Sequence, residues 1–290
     1  MAGENNKVVI VTGGSSGIGR CTASALKENG CIVYEFSRRN IPMEGVTHLS
    51  VDVTDEAAVN AAVQQVIQKE SKIDAVINCA GFGISGAVEF TSMEQAKAQF
   101  DVNFFGTVSV TKAVLPFMRR QGKGHIVNIS SVAAVAHIPF QTFYSASKAA
   151  VSSYSYALAN EVKPYGIHVT VVELGDICTG FTKARQKNIL GDDEYGGRIS
   201  RLATFLERSY DIPETLSRCT LRSNAPVTRI FSLRSFRVLR QAEACTKGSG
   251  TYTAYRPHKR LPGSFSPQYR RCTVQCVPGP CRFARHVPSD

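Results

Sequence analysis

The chain lacks several features that would place it in common protein classes. Its 290 residues contain no apolar run long enough to cross a bilayer and no secretory apolar segment near the start, so a cytoplasmic location is the default expectation. None of the 9 cysteines forms a C-x-x-C pair, and Cys272, Cys276 and Cys281 are irregularly spaced, so we expect no metal site. The chain also has no internal repeats.

Acidic residues are scarce in the last third of the chain. Residues 198–290 carry 17 Lys and Arg against 5 Asp and Glu, whereas residues 1–197 carry 17 against 18. This Arg/Pro/Cys-rich tail shows no lasting amphipathic period beyond a short helix over 201–210, and its composition predicts disorder. An aberrant translation after a frame shift near 198–202 is a second explanation. A basic arm for nucleic acid or an anionic membrane is disfavoured, because the charges are scattered.

A glycine-rich loop follows the first apolar run. Val8–Val11 is typical of a buried parallel strand, Thr12–Gly19 follows at once, and a helical stretch then runs through Leu26. Glycines allow a sharp turn and a close approach to a ligand, and the helix start offers free N–H groups to a pyrophosphate. No Gly-Lys-Ser/Thr follows, which excludes a P-loop NTPase. The order strand, loop, helix predicts dinucleotide binding.

Tyr144 and Lys148 are four residues apart and would share one face of a helix. A free phenol has a pKa of about 10, and a nearby ammonium favours the phenolate and lowers that value. Such a tyrosine can exchange a proton with an alcohol or a ketone. The same spacing recurs at Tyr255 and Lys259, but Pro257 between them disfavours a helix there.

These motifs, in this order, resemble the short-chain dehydrogenase/reductase family over roughly residues 5–185, and its hydroxysteroid dehydrogenase branch in particular. Thr12–Gly19 matches the family's T-G-x-x-x-G-x-G, and residues 78–81 match its N-N-A-G with Cys79 in place of the second Asn. Leu174-Gly175 departs from the family's Pro-Gly. The family's thirteen-residue interval selects Ser131 over its neighbour Ser130. The resemblance implies a catalytic set of Asn103, Ser131, Tyr144 and Lys148.

The alternation of strands and helices predicts an α/β fold with a Rossmann-type doubly wound parallel sheet. Ligands of such sheets bind at the carboxyl ends of the strands, where the motif residues fall. We expect a dinucleotide-binding and catalytic domain over 1–197 and a separate tail over 198–290, and the resemblance implies a homo-oligomer. Cys21, Cys31, Cys79 and Cys178 are expected to be reduced, buried thiols. The predicted strands are 8–11, 31–36, 46–51, 75–78, 125–129 and 167–172, and the predicted helices begin after the glycine loop, at Asp55, near Ser92 (one long helix towards Pro116) and near Phe143.

In this fold, residues at the end of the second strand contact the adenosine ribose of the cofactor and determine the choice between NAD and NADP. An acidic residue there would bond the 2′-hydroxyl of NAD and repel the 2′-phosphate of NADP. The chain has Ser37-Arg38-Arg39 instead, and Glu35 should point away from the ribose. Two arginines match a phosphate, although they also suit a solvated turn, so NADP(H) is favoured over NAD(H). The full set of cofactor contacts implied by the resemblance is Gly13, Ser15, Ser16, Gly17, Ile18, Gly19, Ser37, Arg38, Arg39, Asp52, Val53, Asn78, Ala80, Gly81, Tyr144, Lys148, Ile177 and Thr179.

The resemblance also implies a mechanism. Tyr144 would protonate a carbonyl oxygen as hydride arrives, Ser131 would hydrogen-bond the same oxygen, and Lys148 would hold the nicotinamide ribose. Asn103 would anchor a water-linked proton route to Lys148. A lipophilic, steroid-like alcohol or ketone is expected, since the residues near the nicotinamide are apolar: Phe82, Ile84, Ile138, Phe140 and Phe181. The alternative is a cofactor-binding protein without turnover, because the tail replaces the segment that normally shapes the substrate pocket.

Overall fold

The computed structural model describes residues 6–175, 181–208, 251–257 and 269–275. The strands are β1 (Val8–Thr12), β2 (Ile32–Ser37), β3 (Val46–Ser50), β4 (Ala75–Asn78), β5 (Ile84–Ser85), β6 (Gly124–Ser131), β7 (Ile167–Leu174), β8 (Gln186–Lys187), β9 (Thr251–Pro257) and β10 (Tyr269–Gln275). The helices are α1 (Gly17–Glu28), α2 (Glu56–Glu70), α3 (Met93–Phe100), α4 (Gly106–Gln121), α5 (Thr142–Val162), α6 (Phe181–Ala184) and α7 (Arg198–Arg208).

Six strands form one sheet in the order β3-β2-β1-β4-β6-β7, and every neighbouring pair in it is parallel. Along the chain, strands are therefore added first on one side of β1 and then on the other. This order confirms the predicted Rossmann-type α/β fold. Two short pairs are not hydrogen-bonded into this sheet: β5 with β8, and β9 with β10. The second pair is an antiparallel ribbon within the tail that the sequence analysis did not anticipate, although its Thr, Tyr and Val residues suit strands.

Alternate residues of β1 point to opposite faces of the sheet and enter two separate apolar clusters. Val8 and Ile10 pack with residues of α2, α4 and α5, whereas Val9 and Val11 pack with α1. All four side chains are fully buried. Both faces of the sheet are thus covered by helices, which explains why β1 reads in the sequence as a continuous apolar run.

The segment predicted as one helix from about Ser92 towards Pro116 differs from that prediction in two ways. A π-helical turn, Asp101–Phe105, separates α3 from α4, and α4 continues beyond Pro116. A π turn holds one extra residue and changes which side chains face the core, and it commonly occurs at functional sites. The helix tolerates the proline because its apolar face, including Val114 and Met118, is fully buried against the sheet.

The prediction of buried thiols is wrong for Cys21, which is exposed. Gly19, Ala23 and Leu26 form the buried face of α1, and residue 21 lies on the other side of that helix. Cys31 is buried and Cys79 is half-buried, and these three cysteines are free thiols. Cys178 lies outside the described residues. Within the described part of the chain, no helix combines the length and the apolar character required to cross a membrane.

His125 is expected to make folding pH-dependent. It is buried at the start of β6, where Nε2 lies 2.9 Å from Thr170 Oγ1, and burial, with His168 and Lys7 nearby, lowers its pKa to about 4. Below the ordinary histidine pKa of about 6.5 the unfolded chain binds the proton more readily, so stability falls as the pH drops from about 6.5 towards 4. In His125→Gln, the stability lost between pH 7 and pH 4.5 should be about 2 kcal/mol smaller than in the wild type. Urea unfolding of both proteins at the two pH values measures this, and equal losses would refute it.

Candidate active site

The glycine-rich loop between β1 and α1 depends on the absence of side chains. Gly13 has φ +67°, and a Cβ on it would lie 2.9 Å from Ala80 Cα. A Cβ on Gly19 would lie 2.4 Å from the carbonyl oxygen of Gly13, so the loop turns tightly against the first turn of α1. These close approaches bring backbone next to backbone, where a neighbour cannot simply rotate away. The loop therefore has the shape of a cradle that only glycine can form.

The N-terminus of α1 faces this loop without a side-chain cap. Ser16 occupies the N-cap position, but within the described residues its side chain makes no capping hydrogen bond, and the first turn has no acidic residue. The first N–H groups of a helix carry a partial positive charge and bind anions. Thr12 joins the loop to the end of β4, because its Oγ1 accepts the N–H groups of Cys79 at 3.1 Å and Ala80 at 3.0 Å. The arrangement fits a pyrophosphate.

Tyr144 and Lys148 lie one turn apart near the start of α5, as the spacing predicted. Tyr144 is half-buried, and Lys148 is only 6% exposed. Lys148 Nζ donates a hydrogen bond to the carbonyl oxygen of Ile129 at 2.9 Å. Burial lowers the pKa of Lys148 to about 8, partly offset by Cys79. The ammonium is thus held inside the protein beside the tyrosine turn, where its field is screened less than at the surface.

Ser131 is the last residue of β6, and its side chain points to the opposite face of the sheet from that of its neighbour Ser130. Ser131 Oγ accepts the N–H of Ala133 at 3.1 Å and lies 3.4 Å from the carbonyl oxygen of Leu174. Ser130 Oγ instead donates to the carbonyl oxygen of Lys148 at 3.0 Å and contacts Ser152 Oγ at 2.8 Å. Successive strand residues face opposite sides. Ser130 therefore anchors α5 to the sheet, and Ser131 stays the candidate for the reaction.

Asn103 and Lys148 converge on Gly81. Asn103 is fully buried in the π-helical turn, and its Oδ1 accepts the N–H of Phe82 at 3.0 Å while its Nδ2 donates to the carbonyl oxygen of Phe82 at 3.0 Å. A Cβ on Gly81 would lie 3.0 Å from Asn103 Oδ1 and 3.5 Å from Lys148 Nζ. The structure thus brings together residues of β4's end, the π turn and α5, which are distant in the sequence.

Gln99 is a residue of this region that sequence reasoning missed. It is fully buried, its Nε2 donates to the carbonyl oxygen of Phe82 at 2.5 Å, and its Oε1 accepts the N–H of Ile84 at 2.8 Å. With Asn103 it fixes the segment that follows β4. Its spacing of four residues before Asn103 was a usable signal, because two amides at i and i+4 share one face of a helix.

The predicted ribose end of the site is built by β2 and β3. Ser37 is buried and donates to the carbonyl oxygen of Arg39 at 3.0 Å. The Arg38 side chain is 76% exposed and lies 4.0 Å from Asp52. Burial acts to raise the pKa of Asp52, but hydrogen bonds from Thr54, with Arg38 nearby, keep it below the ordinary value. Arg38 and Arg39 therefore place two solvent-exposed positive charges at the carboxyl end of β2.

Glu35 has a different environment from its neighbours on β2. It is buried, its Oε2 lies 2.5 Å from His48 Nδ1, and a Cβ on Gly14 would meet its Cγ at 2.2 Å. The carboxylate is therefore enclosed beneath the glycine-rich loop. Val53 is also buried, and a Cβ on Gly106 would lie 2.6 Å from its Cγ2, so Val53 packs against the start of α4.

Asn78, at the end of β4, directs its side chain into the protein. Its Nδ2 donates to Asn128 Oδ1 at 2.8 Å, so the side chain is bonded to the neighbouring strand β6. Cys79 follows it, and burial raises the pKa of the Cys79 thiol to about 12. The predicted contacts Ile177 and Thr179 lie outside the described residues. Of the other predicted cofactor residues, Ser15 lies in the loop, and Gly17 and Ile18 are the first two residues of α1.

An aromatic side chain packs beside the predicted catalytic turn. The ring centroids of Phe181 and Tyr144 are 5.8 Å apart. Phe140 has φ +55°, an uncommon conformation for a residue with a side chain, and its ring packs edge-on against Tyr195 at 5.5 Å. Ile84 is buried in β5. Of the apolar residues expected near the nicotinamide, Ile84 thus lies in the protein core and Phe181 lies beside Tyr144.

The comparisons with known proteins agree with this geometry. The family model described as short chain dehydrogenase matches residues 7–190. The chain is 45% identical over 205 residues to the 3-ketodihydrosphingosine reductase of Bacteroides thetaiotaomicron, covering 70% of this chain and 76% of that protein. It is 33% identical over 229 residues to the oxidoreductase BOA17 of Botryotinia fuckeliana, covering 74% and 84%.

Two solved structures have the same architecture. A short-chain dehydrogenase from Streptomyces avermitilis superposes with a TM-score of 0.61 at 31% identity, covering 73% of this chain and 86% of that one. The aldohexose dehydrogenase of Thermoplasma acidophilum gives a TM-score of 0.60 at 30% identity, covering 71% and 78%. The chain belongs to the short-chain dehydrogenase family. It is accordingly an NAD(P)-dependent oxidoreductase acting on CH–OH groups.

Proposed function

We propose that this oxidoreductase transfers hydride between NADP(H) and a lipophilic secondary alcohol or ketone, with Tyr144 as the general acid and base. The observation that carries the proposal is the convergence at Gly81, where Asn103 Oδ1 and Lys148 Nζ approach the same point. A buried lysine one turn from a half-buried tyrosine supports proton transfer to a carbonyl oxygen.

The glycine cradle and the free start of α1 support dinucleotide binding. Gly13 and Gly19 let the loop pack closely against Ala80 and against its own backbone, and the uncapped N–H groups of α1 would bond a pyrophosphate. Ser15 and Ser16 would contact it from the loop and Ile18 from the first turn of α1. Asp52 and Val53 would contact the adenine, and the backbone of Ala80 and Gly81 the nicotinamide side. Ile177 and Thr179 stay proposals outside the described residues.

The bound nicotinamide supplies the hydride. The Tyr144 hydroxyl donates its proton to the substrate oxygen during reduction and takes it back during oxidation. Ser131 Oγ donates a hydrogen bond to the same oxygen and stabilises its developing charge. Lys148 holds a positive charge near the phenol, favouring its ionised form, and Asn103 Oδ1 faces the space beside Lys148 from which protons are replaced.

The double replacement Arg38→Ala with Arg39→Ala is expected to weaken NADPH binding about 10- to 100-fold and NADH binding less than about threefold, because charge-assisted hydrogen bonds contribute about 1.5–3 kcal/mol. Titration calorimetry with each nucleotide measures the two dissociation constants. Arg119→Ala, near the far end of α4, is the matched control and should change neither. Equal weakening of both nucleotides would show that the two arginines do not read the 2′-phosphate.

The substrate class is tested with a panel of ketones. Phe181 beside Tyr144 gives an apolar wall, and a relative is named for reduction of 3-ketodihydrosphingosine, which carries a long alkyl chain. We expect NADPH to be consumed fastest with 3-ketodihydrosphingosine, more slowly with a steroid ketone and least with a short aliphatic ketone. The fluorescence of NADPH follows the reaction. Tight NADPH binding without turnover on any ketone would favour the alternative, a cofactor-binding protein that does not catalyse.

Four further expectations are kept as proposals. They are a division between a catalytic domain at 1–197 and a tail at 198–290, a homo-oligomeric assembly, a cytoplasmic location and the absence of a nucleic-acid partner. The match of the family model to residues 7–190 supports the first. The excess of basic residues after Arg198 supports it as well.

A further inference from the structure

One buried hydroxyl joins two of the proposed catalytic groups. Ser147 lies between Tyr144 and Lys148 on α5, and none of its surface is exposed. Its Oγ donates to the carbonyl oxygen of Tyr144 at 2.8 Å and accepts a hydrogen bond from Asn103 Nδ2 at 3.1 Å. The hydroxyl therefore connects the turn that carries the acid and base to an amide 44 residues earlier in the chain.

The direction of these bonds orients the amide of Asn103. Because the only hydrogen of the Ser147 hydroxyl goes to Tyr144, its oxygen can only accept from Asn103, so the Nδ2 end must face Ser147. Oδ1 then faces the N–H of Phe82 and the space at Gly81. The Phe82 peptide makes two further bonds to this amide.

We infer that Ser147 is a positioning residue that holds the Asn103 amide with its oxygen towards Gly81 and Lys148, and ties that amide to the turn of Tyr144. The inference rests on the proposed function for its effect on catalysis. Its effect on geometry does not, because the orientation of Asn103 can be measured without turnover. Small displacements of positioning groups lower rates strongly even where they leave binding intact.

The chain provides a close control in Ser155, eight residues further along α5. Ser155 is also fully buried, its Oγ accepts a hydrogen bond from Asn128 Nδ2 at 2.8 Å, and it donates to the carbonyl oxygen of Val151 at 2.6 Å. Its bonding pattern is that of Ser147, but its partners belong to the sheet and to its own helix. A purely structural role would therefore appear equally in both alanine variants.

The experiment compares Ser147→Ala with Ser155→Ala. Hydrogen exchange of the Phe82 amide reports on Asn103 Oδ1, and we expect it to become about tenfold faster in Ser147→Ala and to stay unchanged in Ser155→Ala. With a ketone that the wild type reduces, kcat should fall about tenfold in Ser147→Ala, while KM and the dissociation constant of NADPH stay within about twofold. Ser147→Cys, with a weaker donor of similar shape, should lie between the two and replaces the alanine variant if that does not fold.

Unchanged exchange of the Phe82 amide in Ser147→Ala, or equal acceleration in Ser155→Ala, would overturn the inference whatever happens to kcat. A wild-type enzyme that binds NADPH and reduces no ketone would count against the proposed function instead. The Phe82 exchange would still decide the role of Ser147 in that case. The two failures are therefore distinguishable.

Discussion

Replacing Tyr144 by phenylalanine is expected to lower turnover by a factor of about 100 to 10,000, which is the usual contribution of a general acid or base. The ring remains, so its contact with Phe181 and the packing of α5 are kept. The proton donor is lost, and Lys148 cannot replace it, because it is buried and bonded to the carbonyl oxygen of Ile129. NADPH affinity should stay within about threefold of wild type. Single-turnover rates and fluorescence titration give the two quantities.

Tyr154→Phe is the control for this replacement. Tyr154 lies on the same helix, and its ring packs edge-on against Phe104 with centroids 5.9 Å apart. Loss of its hydroxyl should leave kcat within about twofold. Turnover in the Tyr144 variant above a tenth of the wild-type rate would remove the tyrosine from the mechanism. Loss of NADPH binding in it would show that the phenol serves the cofactor instead.

Replacing Gly13 by alanine is the change expected to weaken cofactor binding most, on the order of 100-fold. A residue with a side chain at φ +67° lowers the stability of the fold by about 1–2 kcal/mol. The new Cβ would also lie 2.9 Å from Ala80 Cα and 3.0 Å from Ala80 N, so the loop and the end of β4 must separate. The Thr12 hydroxyl that joins the two segments would be displaced with them. Calorimetric titration with NADPH and thermal unfolding measure the binding loss and the accompanying destabilisation.

Gly122→Ala distinguishes backbone strain from the steric effect. Gly122 has φ +64°, close to that of Gly13, but a Cβ there would meet no atom of the described residues within 4 Å. It caps the end of α4, away from the glycine-rich loop. We expect this variant to lose about 1 kcal/mol of stability and to bind NADPH normally. Similar NADPH affinities in the two variants would mean that the contact with Ala80 does not shape the cofactor site.

Much of the fold was predictable because its signals are local. The apolar run of β1, the glycines after it and the helix from Gly17 are neighbours in the sequence, and each depends on short-range geometry. The same is true of Tyr144 and Lys148, whose separation by four residues brings them together on any helix. The strand boundaries of β4 agree with the prediction, since a short buried strand between turns leaves little choice of register.

The features that the sequence did not reveal lie where one element meets another. The π turn at Asn103 interrupts a segment whose apolar period fits an ordinary helix, and the turn is stabilised by bonds to Phe82, 21 residues earlier. The exposure of Cys21 depends on which face of α1 meets the sheet. Glu35 is enclosed with His48 because β2 and β3 pair in register, which brings the two residues side by side. None of these contacts can be predicted from a short stretch of sequence.

By itself, then, the order of residues determined the class of fold, the position of the glycine-rich loop and the tyrosine–lysine turn, because each of these arises from spacings of a few residues. Only the tertiary structure decided how Asn103, Ser147, Gln99 and Gly81 meet. These residues come from α3, the π turn, α5 and the end of β4, and their hydrogen bonds form only after the helices have packed on the sheet. The physical reason is that directional bonds between distant segments depend on the packing of the whole domain.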